Sequence, residues 1–397
     1  MMTRSEFVRT CSLFGISLPF QSAINSCSDE IEAPIVSGKF NGTVLIIGAG
    51  AAGMATAYLL EQQGISYQIL EADTSYGGRF RTNDDFTDFP IPLGAEWLHI
   101  SKSELPAIVN DETVNIDTVL LPYSESDTSG YFSNGNLTIT EIGSAVNDDE
   151  DQKFIGSSWF DFFEDYIVPS IRNKMQFNTK IASIDYSGDK VVAVDDNGQQ
   201  FEADKLVMTV PLKLLQLGEV NFIPELPNNK QNAIADANIW SGMKVFLKFS
   251  EQFYPTFLYF DDSGNREGQR LYYDAAYGQS SSDNVLGLFS VGSQAEVYQQ
   301  FSGDALRDYV LAELDEIFNG KASETFVDII TQNWNEQAFA KGAYLNDSAS
   351  TSISRRMAES VDDKLYFAGC SYTQFDDWSS VHTAARSARD AVRELIR

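Results

Sequence analysis

The chain has 397 residues, 43% hydrophobic and 12% aromatic, which is enough to bury a large core and to build more than one folding unit. A net charge of -29 argues against a nucleic-acid partner, whose phosphates would be repelled, and suits a cationic substrate or a salty environment. Two His and three widely separated Cys argue against a His/Cys zinc site, so no metal is expected, and no G-x-S-x-G turn marks a hydrolase.

Residues 1–30 read differently from the rest. Arg4 and Arg9 precede a weakly apolar run over 11–24 that is too short and too polar to span a membrane. The stretch from Thr3 to Arg9 is similar to a twin-arginine export signal whose second Arg has become Ser. Ile24-Asn25-Ser26-Cys27 is similar to a lipoprotein cleavage box, followed by Ser28-Asp29-Glu30. The expectation is export to the cell envelope or periplasm with a lipid on Cys27. A disordered tail on a cytoplasmic protein is the other reading. With Cys11 removed and Cys27 lipidated, Cys370 would be the last thiol, and no intramolecular disulfide is expected.

The apolar run 44–47 has the length of a buried parallel strand and leads directly into Gly48, Gly50 and Gly53, after which 54–63 reads as a helix and 67–70 as a second strand. This is the start of a βαβ unit. Gly48 permits the tight turn, Gly50 lets backbone approach a pyrophosphate, and Gly53 lets the helix lie close on the strand with its free N–H groups toward phosphate. Glu71, 23 residues after Gly48, stands where a carboxylate accepts from the ribose hydroxyls of an adenine dinucleotide. Gly77, Gly78 and Arg79 add a second glycine turn with a cation aimed back at phosphate, which a nicotinamide-only domain does not need.

These residues, with P-L-G-A-E-W-L-H at 92–99, resemble the opening of the flavin-containing amine oxidases, the monoamine and polyamine oxidase family. The likeness resumes in blocks to the C-terminus. It implies an α/β fold: a Rossmann-like FAD-binding domain over 40–100, 175–215 and 355–397, with an inserted α+β substrate domain over 101–174 and 216–354. It also implies that FAD is contacted by Gly48, Gly50, Ala52, Gly53, Glu71, Ala72, Gly78, Arg79, Gly94, Ala95, Glu96 and Trp97.

From 101 to 173 the pattern is polar and irregular, with loops expected at 124–130 and 146–152 and one helix over 158–174. The stretch is short for the family, which implies a more open or differently built substrate entrance. Residues 178–211 alternate as strands, with Asp196-Asn197-Gly198 as a hairpin turn. The resemblance has Ile181 offering backbone to the adenine.

In 235–250, Lys244 sits inside an alternating strand with Phe246 and Lys248 on its side and Val245 and Leu247 opposite. An ammonium among aromatics must be paired or hydrated, or its pKa falls; the bland reading is an edge lysine with its head in solvent. The resemblance implies that Lys244 holds a water against the flavin N5 atom. Residues 271–277 and 285–291 read as strands, and 304–319 as a helix with Leu306, Val310, Leu311, Leu314 and Phe318 on one face.

Trp334, Gly342 and Tyr344 match a monoamine oxidase spacing in which Tyr344 is one of two rings that sandwich the amine. Ala343 stands where some members carry a flavin-linking Cys, which implies non-covalent FAD. In L-Y-F-A-G-C-S-Y at 365–372 a strand meets Gly369, and a helix then begins near Ser379 or Ser380, its N-terminus placed to stabilise negative charge on reduced flavin. Here the resemblance implies FAD contacts at Trp334, Gly369, Cys370, Ser380 and Val381. Cys370 replaces the usual acid and Ser380 the second ring, which Trp378 could supply; His382 reads as structural.

The activity implied is oxidation of an amine to an imine with O2 as acceptor and release of H2O2. A flavin enzyme of this fold acting on C–C bonds, and a non-catalytic flavin-binding protein, remain as alternatives.

Overall fold

In the computed structural model, residues 38–143, 151–261, 267–346, 351–374 and 379–397 are described. The export segment with Cys27, most of the loop expected at 146–152, and Trp378 lie outside them. In chain order the elements that build the site begin with β1 (Thr43–Ile47), α1 (Ala51–Gln62), β2 (Ser66–Leu70) and β3 (Trp97–Leu98). β4 (Thr128–Ser133), β5 (Asn136–Glu141), β6 (Gln152–Phe154), α2 (Trp159–Tyr166) and β7 (Met175–Gln176) follow. Next come β8 (Ile181–Asp185), β9 (Val191–Asp195), β10 (Gln200–Ala203), β11 (Lys205–Met208), β12 (Asn221–Ile223) and β13 (Gly242–Phe249). β14 (Phe257–Phe260), β15 (Gly268–Asp274), β16 (Asn284–Gly292), α3 (Gly303–Phe318), β17 (Phe326–Asn333), β18 (Leu365–Phe367) and α4 (Val381–Leu395) complete the set.

From Val44 to Ile47 β1 is apolar on both sides of its pleat because both faces are covered. Val44 and Ile46 face the cluster that contains α1 and α4, whereas Leu45 and Ile47 face the cluster formed with β8, β9 and β10. It is the centre of a parallel sheet ordered β7-β2-β1-β11-β18, and α4 packs on α1. The close approach of α1 to the end of β1 depends on Gly53, where an added Cβ would lie 1.9 Å from the Gly48 carbonyl oxygen. The chain therefore leaves the nucleotide-binding sheet after β11 and returns to it only at β18.

Its excursions from that sheet, first between β2 and β7 and then between β11 and β18, build a seven-stranded sheet, β17-β13-β16-β15-β14-β4-β5. Met243, Val245 and Leu247 of β13 pack on α3 through Leu306, Val310 and Leu314, while Phe246 faces Tyr273, Phe257 and Tyr259 on the other side. Lys244 shares the Phe246 side, as its alternation requires. Asp195 accepts backbone N–H groups from Asn197 and Gln199, closing the predicted hairpin between β9 and β10.

Two expectations are corrected. The single helix over 158–174 is interrupted: α2 ends at Tyr166, and a separate turn, Val168–Ile171, precedes a 3-10 turn, Arg172–Lys174. Pro169 has no N–H to continue the ladder and its ring crowds the preceding turn. The loop expected at 124–130 gives way to β4 from Thr128 onward, because Ser129 pairs in register with Phe257, a partner that no local pattern reveals.

Candidate active site

A cavity of about 400 Å³ runs from the β1–α1 turn to the face of the large sheet. Its wall includes Gly48, Gly50, Ala52, Glu71, Ala72 and Ile181; Gly78, Arg79, Gly94, Ala95 and Trp97; and Lys244, Trp334, Tyr344, Gly369, Cys370, Ser380 and Val381. All of these residues were expected from the sequence; Gly53, expected with them, is not part of the wall.

The nucleotide end has the shape and donors that a dinucleotide needs. A Cβ on Gly50 would meet no protein atom within 4 Å, so the space over the start of α1 is open to a ligand. Glu71 ends β2 with its carboxylate accepting the N–H of Ala49 at 2.6 Å and of Asp73 at 2.8 Å, and each oxygen retains a lone pair for a hydroxyl donor. Burial raises its pKa, opposed by those two backbone donors and by Arg81. FAD fits this end of the cavity on these grounds.

Arg79 differs from the expectation. Its guanidinium donates to the carbonyl of Ala343 and, at 3.4 Å, to Cys370 Sγ, so it ties the glycine turn at 77–79 to the two loops at the far end instead of pointing along α1. Cys370, the unexpected residue at an acidic position, is thereby an acceptor for that arginine. Trp334 is buried and donates its indole N–H to Leu93 O at 3.0 Å, and Tyr344 stands 6.2 Å from the ring of Trp240. Ser380 occupies the N-cap position of α4.

Lys244 is buried. Only 3% of it is exposed; its Nζ lies 2.6 Å from Glu96 Oε2 and 3.2 Å from Pro92 O, with the rings of Trp97, Phe246 and Tyr273 at 5.4 to 5.7 Å. The reading of an edge lysine in solvent is thus overturned. Burial lowers the Lys244 pKa, partly offset by Glu96. Glu96 was expected among the cofactor contacts, but its oxygens are engaged by Lys244, by Lys153 at 2.5 Å and by the hydroxyl of Tyr273. Burial alone would raise the Glu96 carboxyl; the two ammonium groups outweigh it and hold it low.

Sequence reasoning missed Lys153 and Tyr273. The available signal was a lysine in Q-K-F-I, a short apolar strand like that of Lys244. It also missed the pair His99–Asp151 on the cavity wall. Among the described residues there is no cluster of His, Cys, Asp or Glu that could hold a metal ion, and no helix long and apolar enough to cross a membrane.

Residues 163–396 match the family model described as flavin containing amine oxidoreductase. The chain belongs to that family. Residues 46–111 also match an NAD(P)-binding Rossmann-like domain. Among curated relatives, polyamine oxidase 2 of Arabidopsis thaliana is 24% identical over 412 residues, covering 82% of each chain. Polyamine oxidase 4 of Oryza sativa subsp. japonica is 23% identical and covers 89% of each. Two solved structures share the fold. A putrescine oxidase with redesigned cofactor binding superposes with a TM-score of 0.73 at 14% identity, over 90% of this chain and 99% of its own. Cyclohexylamine oxidase from Brevibacterium oxydans IH-35A gives 0.72 at 16%, over 90% and 100%. The protein is accordingly an FAD-dependent amine oxidase.

Proposed function

We propose that this amine oxidase takes a small aliphatic amine, with Lys244 and Tyr344 at the reacting end of the cavity and O2 as the final acceptor, so that an imine and H2O2 are the products. The observation that carries this reading is one continuous cavity joining the open Gly50–Glu71 end to a lysine buried among aromatic rings. The names of the relatives, which are oxidases of polyamines, putrescine and cyclohexylamine, support the substrate class.

When bound, FAD supplies the two-electron acceptor for the hydrogen on the carbon next to nitrogen. The backbone over Gly48 and Gly50, the carboxylate of Glu71, and Ile181 would hold its nucleotide half, and Gly369, Cys370, Ser380 and Val381 its ring end. It would be bound non-covalently, since Ala343 offers no thiol. The amine reacts as the free base, and no strong protein base is needed. Trp97 and Tyr344 present apolar faces that orient an alkyl chain and keep water from it, while Lys244 Nζ donates or accepts a proton at an ordered solvent position. Positioning is the protein's share of the chemistry.

The purified protein should show flavin absorbance that bleaches anaerobically with alkylamines and returns in air with stoichiometric peroxide. Flavin colour that no amine bleaches would remove the amine-oxidising reading.

The segment at 1–30 supports an exported form lipidated at Cys27. Radiolabelled lipid incorporation that persists in Cys27→Ala would refute that placement.

A further inference from the structure

Behind the cavity wall lies a cluster that amine oxidation as described does not use in full. Glu96 is one carboxylate between two ammonium groups. Lys244 and the Tyr273 hydroxyl share Oε2, whereas Lys153, on β6, takes Oε1 at 2.5 Å and the carbonyl of Ala275 at 3.2 Å. Glu96, Lys153 and Lys244 are 3%, 2% and 3% exposed. Lys244 and Glu96 reach the cavity; Lys153 is not part of its wall.

In direct contact, two ammonium groups share one carboxylate in an apolar setting, where burial disfavours the charged form and like charges repel. Of the other groups that face this cluster, one is a carboxyl, and it lies on the Lys153 side. Tyr273 on β15 donates to Glu96, and Tyr123 accepts from the indole of Trp97 at 2.8 Å. Asp274, next along β15, acts on Lys153; burial pushes its carboxyl up to about 6, so it is charged at neutral pH and offsets part of the Lys153 charge there, whereas Glu96 is the anion that acts on Lys244. His99 lies beyond Trp97 and is engaged with Asp151.

We propose that Lys153 is a positioning residue for amine oxidation: by holding half of Glu96 and opposing the charge of Lys244, it makes the Lys244 proton labile. Lys244 is the cluster's cation at the cavity, so it is the one that can exchange a proton with solvent or substrate there. Lys153 keeps Glu96 ionised and its carboxylate fixed while that exchange occurs. Without Lys153, Lys244 would own the carboxylate alone and keep its proton to higher pH. This rests on the reading that Lys244 serves at the reacting end, but its central claim concerns the protonation of one side chain and is measurable without turnover.

The test uses the holoenzyme labelled with 13C and 15N at the lysine side-chain termini, with the Lys244 signal assigned by its loss in Lys244→Met. In Lys153→Met the Lys244 titration midpoint should rise by about one pH unit or more, and the limb of the kcat/KM profile that follows Lys244 should move with it. Lys153→Arg, which keeps the charge, should restore both. Glu96→Gln reads the same linkage from the opposite side, with the Lys244 midpoint falling. A midpoint that stays in place in both Lys153→Met and Glu96→Gln overturns the proposal, even if the rate falls. A midpoint that shifts while Lys244→Met leaves amine oxidation untouched upholds the linkage and instead removes Lys244 from the reaction.

Discussion

Trp334 and Leu93, 241 residues apart, are joined by one hydrogen bond of 3.0 Å from indole N–H to backbone carbonyl. It fastens the end of β17 to the G-A-E-W loop along the cavity. Trp334→Phe keeps an aromatic ring but removes the donor, leaving the Leu93 carbonyl without it. The expected cost is about 1–2 kcal/mol in urea unfolding, with flavin lost more readily on gel filtration. Unchanged stability together with unchanged flavin retention would show that this tie matters to neither.

Lys244→Met tests the reacting end directly. Anaerobic bleaching by amine, or reoxidation in air, should slow by roughly 100-fold, the order typical of a positioned proton-transfer group. Rapid mixing separates the two half-reactions. If both keep their wild-type rates, Lys244 has no part in the chemistry.

Gly50 and Gly53 should behave oppositely although they are three residues apart. A methyl at Gly50 meets no protein atom, so Gly50→Ala should fold with normal stability and bind FAD at least 10-fold more weakly, since the space it fills is the ligand's. A methyl at Gly53 collides with the Gly48 carbonyl, so Gly53→Ala should fail at folding itself. Calorimetry with and without added FAD distinguishes these outcomes, and a Gly50→Ala protein with full affinity would place the phosphates elsewhere.

Lys230 offers a test of stability against pH. Its Nζ donates to the carbonyls of Arg356 at 3.1 Å and Met357 at 2.6 Å and lies 3.8 Å from the ring centre of Phe367. Burial nonetheless pushes its pKa down from 10.5 to about 7. Between those values the unfolded chain carries the proton and the folded one does not, so stability contributed here rises with pH across that window, by up to about 1.4 kcal/mol per unit. Below about 7 the cost of burying the charge is felt in full. The difference in urea stability between wild type and Lys230→Met should therefore grow in favour of wild type from about pH 7 to 10. A difference that stays flat across that range would mean that the folded lysine remains charged.

The first βαβ unit was legible because its causes are local: an unbroken apolar strand, three glycines at fixed spacing and an acid at the next strand end. Lys244 was legible as an anomaly, a cation in an apolar alternation. Its partners were not. Glu96 lies 148 residues from Lys244 and 57 from Lys153, and no periodicity links a carboxylate in one loop to ammonium groups on two unrelated strands. Arg79 was misjudged for a similar reason, since its destination at Ala343 and Cys370 depends on chain that arrives much later. The break at Pro169 was readable in principle; the amphipathic run around it outweighed the one residue that interrupts it.

The parallel sheet that β1 opens is completed by β18 and covered by α4. A chain emerging from the ribosome therefore carries an unfinished binding crevice, one wall missing, until α4 has been made. Cofactor capture is thus deferred until that helix has emerged, and chains cut short before it would be expected to leave the ribosome empty and without the packing that α4 gives to α1.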